Sequence, residues 1–308
     1  MLAIFMGWPA VLRAEEYRVG TWNTAQTIQP FFYEKYLPRG ARPVIFTFTN
    51  PADQKTALLA GSLDMCGTTL AHAIQSASMG QPVVVVAALC NKSSALVVKL
   101  GQAATTGADL KGKNIGYVPG TMHEILLRET LTRNGLSPDK DVTLIRVDFF
   151  DMNQALARGG IDAYLSGEPF PSQAAIQGLG RILAYPYDDQ SVGTINAGML
   201  VTRQMIQENP KRVADLVKAH VLATRYLAKN RSVWLNQAAE FGSALPVLEK
   251  AASNMELSWD MDADFIRNVR ALGERMQLLG IIQNQPDYSV LINTSFVEAV
   301  KRNLPDVK

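Results

Sequence analysis

ALLAGSLDMCGTTLAHA, residues 57–73, reads as the end of one helix, a glycine stop, a short apolar strand, a small polar turn and the start of a second helix. The helix predicted over 53–60 ends at Gly61, a residue that tolerates the left-handed backbone a helix stop needs. The strand predicted over 63–66 is short, and Gly67-Thr68-Thr69 leads into a helix over 68–78. A helix–strand–helix passage packed into so few residues is the rhythm of an α/β layer structure, in which strands lie side by side under a cover of helices.

Reading outward keeps that rhythm. On the N-terminal side come a strand over 17–22, a helix over 26–36 and a strand over 44–48. On the C-terminal side, residues 83–89 (VVVVAAL) form an apolar run without alternation, the pattern of a strand buried on both faces. After Gly101 the alternation restarts: strands over 114–117, 142–146, 161–165 and 181–184, with helices over 122–134 and 152–158. A strand over 197–201 returns the chain to the first unit. Beyond Pro210 the spacing turns helical to the end, with Val213, Leu216, Val217, His220 and Val221 on one face. The expected fold is two-lobed α/β, with mixed, mainly parallel sheets flanked by helices and a cleft between the lobes. One lobe comprises residues 15–100 and 197–308, the other 101–196.

Composition narrows the function. Thirty basic residues stand against 28 acidic ones, a net charge of +2 with no basic run, which gives no footprint for nucleic acid. Residues 1–12 (MLAIFMGWPAVL) are almost wholly apolar and turn polar at Arg13. That run is too short to span a bilayer and fits the core of a signal peptide over 1–14, truncated at its basic end, with cleavage after Ala14. The expected location is therefore extracytoplasmic or periplasmic. A buried N-terminal strand or helix is the other reading of the same run. Cys66 and Cys90 allow one disulfide or two buried thiols, and no spacing beside them suits a metal. The motifs of a nucleophile elbow, a phosphate loop, a dinucleotide fold or a zinc protease are missing from the sequence.

In open α/β sheets ligands bind beyond the carboxyl ends of strands, so polar residues at strand-to-helix junctions are the candidates. Four junctions qualify: Trp22-Asn23-Thr24, Gly67-Thr68-Thr69, Pro119-Gly120-Thr121 and Asn91-Lys92-Ser93-Ser94. Hydroxyls and N–H groups at helix starts suit an anion, but the same residues serve equally as plain helix caps or turns. Trp22 either walls the ligand or packs between helices. His123 follows Thr121 within the first turn of its helix, as a ligand contact or as packing.

These segments, taken together and in order, resemble the periplasmic binding proteins of the aliphatic-sulfonate, taurine and nitrate importers. The carriers are YRVGTWN (17–23), ALLAGSLDMCGTTLAHA (57–73), SSALVVK (93–99), ADLKGKNIGYVPGT (108–121) and ALARGGIDAYLSGEPFPSQA (155–174). The resemblance implies the type II binding-protein fold and a monomer that captures a small solute, of sulfonate, nitrate or taurine type, for an ABC permease and its ATPase. It implies no cofactor, metal or catalysis. It places Thr68 and Thr69 in the first-lobe ligand loop, Glu168 of the Glu-Pro pair at the cleft, and Asn196 at the return crossover. Gly167 departs from the family, whose members often carry a tryptophan before that pair. The competing expectation is an enzyme on the same fold, of thiamine-pyrimidine or menaquinone-pathway type.

Overall fold

The computed structural model describes residues 14–187 and 192–304. The leader expected over 1–14 lies outside the described residues save for Ala14.

The chain begins with β1 (Glu15–Trp22), β2 (Ala41–Phe48), α1 (Pro51–Leu59), β3 (Met65–Thr69), α2 (Leu70–Ser78) and β4 (Val83–Lys92). It then crosses to β5 (Ser94–Lys99), β6 (Asn114–Tyr117), α3 (Met122–Arg133), β7 (Thr143–Arg146), α4 (Met152–Arg158), β8 (Ala163–Gly167), α5 (Phe170–Ile176) and β9 (Gly180–Ala184). It returns through β10 (Ile195–Thr202) to α6 (Arg203–Glu208), α7 (Pro210–Lys229), α8 (Arg231–Ala239) and α9 (Leu245–Ala251). β11 (Met255–Leu257), α10 (Ala263–Leu278), α11 (Tyr288–Leu291) and α12 (Ser295–Asn303) complete it.

Two sheets result, ordered β11-β4-β10-β3-β1-β2 and β7-β6-β8-β5-β9. The sheets are mixed as expected, but parallel pairing does not dominate. Among the described strands it joins β1 with β2 and β3, and β6 with β7 and β8, beside one isolated parallel bridge between Val85 and Ile292. The strands that carry the chain between lobes run the other way: β10 is antiparallel to β3 and β4, and β5 to β8 and β9. A strand that enters a sheet from the neighbouring lobe, without a covering crossover helix, is free to take that direction.

Two further expectations are corrected. The lobe boundary drawn at residue 100 places Ser94–Lys99 in the first unit, whereas that strand hydrogen-bonds within the second sheet. The cause is local, since β4 passes to β5 through the single residue Ser93, with Lys92 and Ser93 at φ 58° and 80°. The helix over 26–36 is instead a pair of 3-10 segments, Ala25–Thr27 and Gln29–Lys35. Pro30 removes an N–H from its first turn, and the backbone closes through three-residue bonds such as Phe31 N–H to Ile28 O.

Burial follows the patterns that named the elements. The first eight residues of β4 are buried, as its unbroken apolar run requires. On α7 the face carrying Val213, Leu216, Val217, His220 and Val221 is buried. β2 sits at a sheet edge and carries Pro43, which no ladder bond on its open side contradicts. β11 interrupts a region that reads as helical throughout; pairing with the end of β4 sets it, not its own three residues. Cys66 and Cys90 are free, and β10 lies between their strands. Burial pushes both thiols up to about 12, so neither is a nucleophile near neutral pH. No helix among the described residues is long and apolar enough to cross a membrane.

Candidate functional site

The ends of β1 and β8 face each other across the lobes, and a cavity of about 20 Å³ lies between them, room for roughly one water. Its first-lobe wall is the segment that leaves β1. Trp22 and Gln26 are buried there, and Thr24 and Thr49 complete that side. Thr27 ties the segment together: its hydroxyl donates to Trp22 O at 3.0 Å, and its carbonyl accepts from Thr21 Oγ1 at 2.6 Å. These bonds fix Trp22 without using its indole N–H, which is buried and has no partner among the described residues.

The second-lobe wall is aromatic and carries one carboxyl group. Phe149 and Phe150 follow β7, while Gly167 ends β8, Glu168 follows it and Phe170 opens α5. His123, in the first turn of α3, stands edge-on to Phe149 with centroids 5.3 Å apart, and Phe150 meets Phe170 in the same manner at 5.2 Å. Phe150 is 43% exposed and forms the rim.

Glu168 is 1% exposed. Its Oε2 accepts from Ser172 N–H at 3.1 Å at the start of α5, and its Oε1 accepts from Asn254 Nδ2 at 3.4 Å. Burial is the largest influence on it and raises its carboxyl to about 7, against the opposite pull of those hydrogen bonds. Gln26 Nε2 reaches across from the first lobe and donates to Glu168 O at 3.0 Å, leaving Gln26 Oε1 buried and without a partner among the described residues. Burial drives His123 down to about 3, so its ring is neutral at physiological pH. Its Nδ1 shares a 2.7 Å hydrogen bond with Ser94 Oγ.

Of the ten residues singled out from sequence, Trp22, His123 and Glu168 line this cavity. Ser93 and Ser94 sit behind it at the crossover. Ser93 O accepts from Glu168 N–H at 2.7 Å, and Ser94 N–H donates to Tyr187 Oη at 2.7 Å. Asn196 braces the same crossover by donating to Lys92 O. Thr68 is buried in β3 opposite Gly198, and Thr69 Oγ1 accepts from His72 N–H at 3.4 Å as the cap of α2. Thr121 precedes α3 and donates its hydroxyl to Val118 O at 2.8 Å. Asn23 is half-buried beside the wall but not part of it.

Sequence reasoning missed Gln26, Phe149, Phe150, Phe170 and Asn254. Phe149 and Phe150 were within reach, because they follow a strand at the same topological place as the junctions that were chosen. Asn254 was not. It belongs to a 3-10 turn before β11, and its N–H donor also bonds Ser94 O at 3.0 Å while its carbonyl accepts from Ser93 N–H.

The profile of the NMT1-like family matches residues 32–239. The chain belongs to that family. Among curated proteins it is 32% identical over 132 residues to the 4-amino-5-hydroxymethyl-2-methylpyrimidine phosphate synthase of Schizosaccharomyces pombe, a stretch covering 42% of this chain and 36% of the synthase. The chain thus spans little more than a third of that relative. Among solved structures it superposes on the alkanesulfonate-binding protein SsuA of Xanthomonas axonopodis pv. citri bound to MOPS, with a TM-score of 0.81, 21% identity and coverage of 91% and 98%. It superposes equally on the ligand-binding component of an ABC-type import system from Staphylococcus aureus, with a TM-score of 0.82, 16% identity and coverage of 94% and 99%. These likenesses establish the fold of this NMT1-like chain as that of the type II periplasmic binding proteins.

Proposed function

We propose that this chain is the solute-binding component of an ABC importer, holding a small organic molecule in the cleft between its lobes. The observation that carries the reading is the cavity itself, walled by Trp22 and Gln26 from one lobe and by His123, Phe149, Phe150 and Glu168 from the other. A site split between two lobes turns ligand contacts into an inter-lobe bond, so binding shifts the population toward the closed form. The crossover at Ser93 is where that motion is absorbed. In this reading the protein works outside the cytoplasm as a monomer, and its partners are a permease and an ATPase that recognise the closed form. Within the class of small anionic or polar organic solutes, Trp22, Gln26, His123 and Glu168 are the proposed contacts.

Thermal unfolding against sulfonates, taurine, nitrate, aromatic carboxylates and pyrimidines tests this reading. A solute at 100 times its dissociation constant adds about 2.7 kcal/mol of stability, a clear upward shift in Tm. A shift with the solute recovered unchanged supports a binder. The similarity to the yeast synthase favours a second reading, an enzyme on this fold, and conversion of the responding solute on prolonged incubation would establish that instead.

A further inference from the structure

We infer that the cleft takes a solute without permanent negative charge, a flat nitrogenous molecule that donates N–H bonds to Glu168 and Gln26 Oε1 and accepts one from Trp22 Nε1. The inference rests on the reading of the cleft as a solute site and specifies what that site recognises.

An oxyanion is held by cationic side chains or by N–H groups with no other acceptor. Among the described residues of the wall a single such N–H is offered, the indole of Trp22. No lysine or arginine is among the described residues of the cavity wall, and His123 there is neutral. Lys250 acts on Glu168 from outside the wall, as the weakest of the influences on it.

The helix starts bordering the cleft already hold acceptors of their own. At α5, the Ser172 N–H is taken by the Glu168 carboxyl group. Before α3, the Gly120 N–H donates to Glu124 Oε2 at 2.7 Å, and this acidic residue in the first turn of α3 offsets the positive end of the helix. At α2, the His72 N–H is taken by Thr69. At each of these starts one N–H is already taken, and an oxyanion in the cavity would sit beside the buried carboxyl group of Glu168.

What the cavity does offer is complementary to a nitrogen base or amide. Two buried polar atoms of the wall lack partners among the described residues, the donor Trp22 Nε1 and the acceptor Gln26 Oε1, and each is destabilising while unsatisfied. Glu168 adds a second acceptor, and the aromatic rings of Trp22, Phe149, Phe150 and Phe170 present flat apolar faces. Because the cavity itself holds about one water, a ring-sized solute enters as Phe150 swings out or the lobes part.

The test uses probes that differ in the charge of the head group. Benzamidine, nicotinamide, benzenesulfonate and nitrate are each titrated into the full chain by calorimetry, with thermal unfolding alongside. Benzamidine or nicotinamide is expected to bind and the two anions not to. Glu168→Gln should weaken the bound probe by about tenfold or more, the loss of one charge-assisted hydrogen bond. Trp22→Phe, which keeps an aromatic face but removes the N–H together with the five-membered ring of the indole, serves as an independent variant and should weaken it by about three- to tenfold. Binding of benzenesulfonate or nitrate that Glu168→Gln leaves unchanged or tightens overturns the inference while leaving the importer reading in place. Binding by none of the four also overturns it. The importer reading falls separately, if the wider solute panel shows no shift and native mass spectrometry finds no small molecule carried by the protein.

Discussion

The threonine-bearing helix starts and the aromatic wall are both built from strand ends that point at the cleft, yet they end in opposite states. Thr69 and Thr121 spend their hydroxyls on backbone groups three residues away. The wall keeps Trp22 Nε1 and Gln26 Oε1 unpaired in a buried place. A hydroxyl already bonded to the backbone has less left over for a ligand, whereas an unsatisfied buried group is stabilised only when something arrives. If the cleft is the solute site, as proposed, the residues that lack partners, rather than the threonines, are the ones left to meet a solute.

The largest effect is expected from filling the wall. A Cβ on Gly167 would stand 3.0 Å from His123 Nε2 and 3.6 Å from Gln26 Nε2, so Gly167→Trp puts an indole into the cavity. Affinity for the responding solute should fall by about a hundredfold or more, with about 1–3 kcal/mol of overpacking cost in thermal unfolding. Unchanged affinity would mean that the solute sits elsewhere in the cleft.

Glu168 gives the next effect, on stability rather than binding. Its carboxyl group is raised from 4.5 to about 7 in the folded chain, so between those values the native state holds a proton that the unfolded state has released. Its contribution is fully present below pH 4.5 and is lost as pH rises through 7, on the order of 3 kcal/mol. The histidines work in the reverse sense. His72 and His220 are lowered from 6.5 to about 4 and His123 to about 3, chiefly by burial, so their contribution is lost as pH falls from 6.5 through 4 and below. Denaturant titrations of wild type and Glu168→Gln across pH 4–8 separate the two. The difference between the curves should slope through pH 4.5–7, and parallel curves would show that Glu168 titrates normally.

The smallest effect belongs to the caps. Thr69→Ala should cost about 1 kcal/mol, the usual loss of an N-cap, and change solute affinity by less than about twofold. A tenfold loss of affinity without loss of Tm would erase the distinction between cap and wall, and would return Thr69 to the ligand.

Much of the fold was legible because its signals are local. The unbroken apolar run of β4 announced a strand covered on both sides, and the spacing of Val213, Leu216, Val217, His220 and Val221 announced one face of a long helix. Strand direction was not legible. The antiparallel setting of β5 and β10 depends on how the chain crosses between lobes, and the single-residue passage at Ser93 has no signature in composition. β11 was hidden for a similar reason, since three residues carry no period and only the edge of β4 makes them a strand. In the site, Trp22, His123 and Glu168 could be picked from position and chemical type. Asn254 could not, because its neighbours Ser93, Ser94 and Glu168 are distant in sequence.

By itself the sequence determined the alternation of strands and helices, the two-lobed α/β class and the set of junctions that border a cleft. Those follow from periodicity and from backbone preferences that act within a few residues. Only the tertiary structure decided which polar groups are already paired, how deeply Glu168 is buried and where the aromatic wall closes. Hydrogen-bond satisfaction and desolvation depend on which segments meet in space, and residues 22, 26, 123, 149, 168 and 254 meet only when the whole chain has folded.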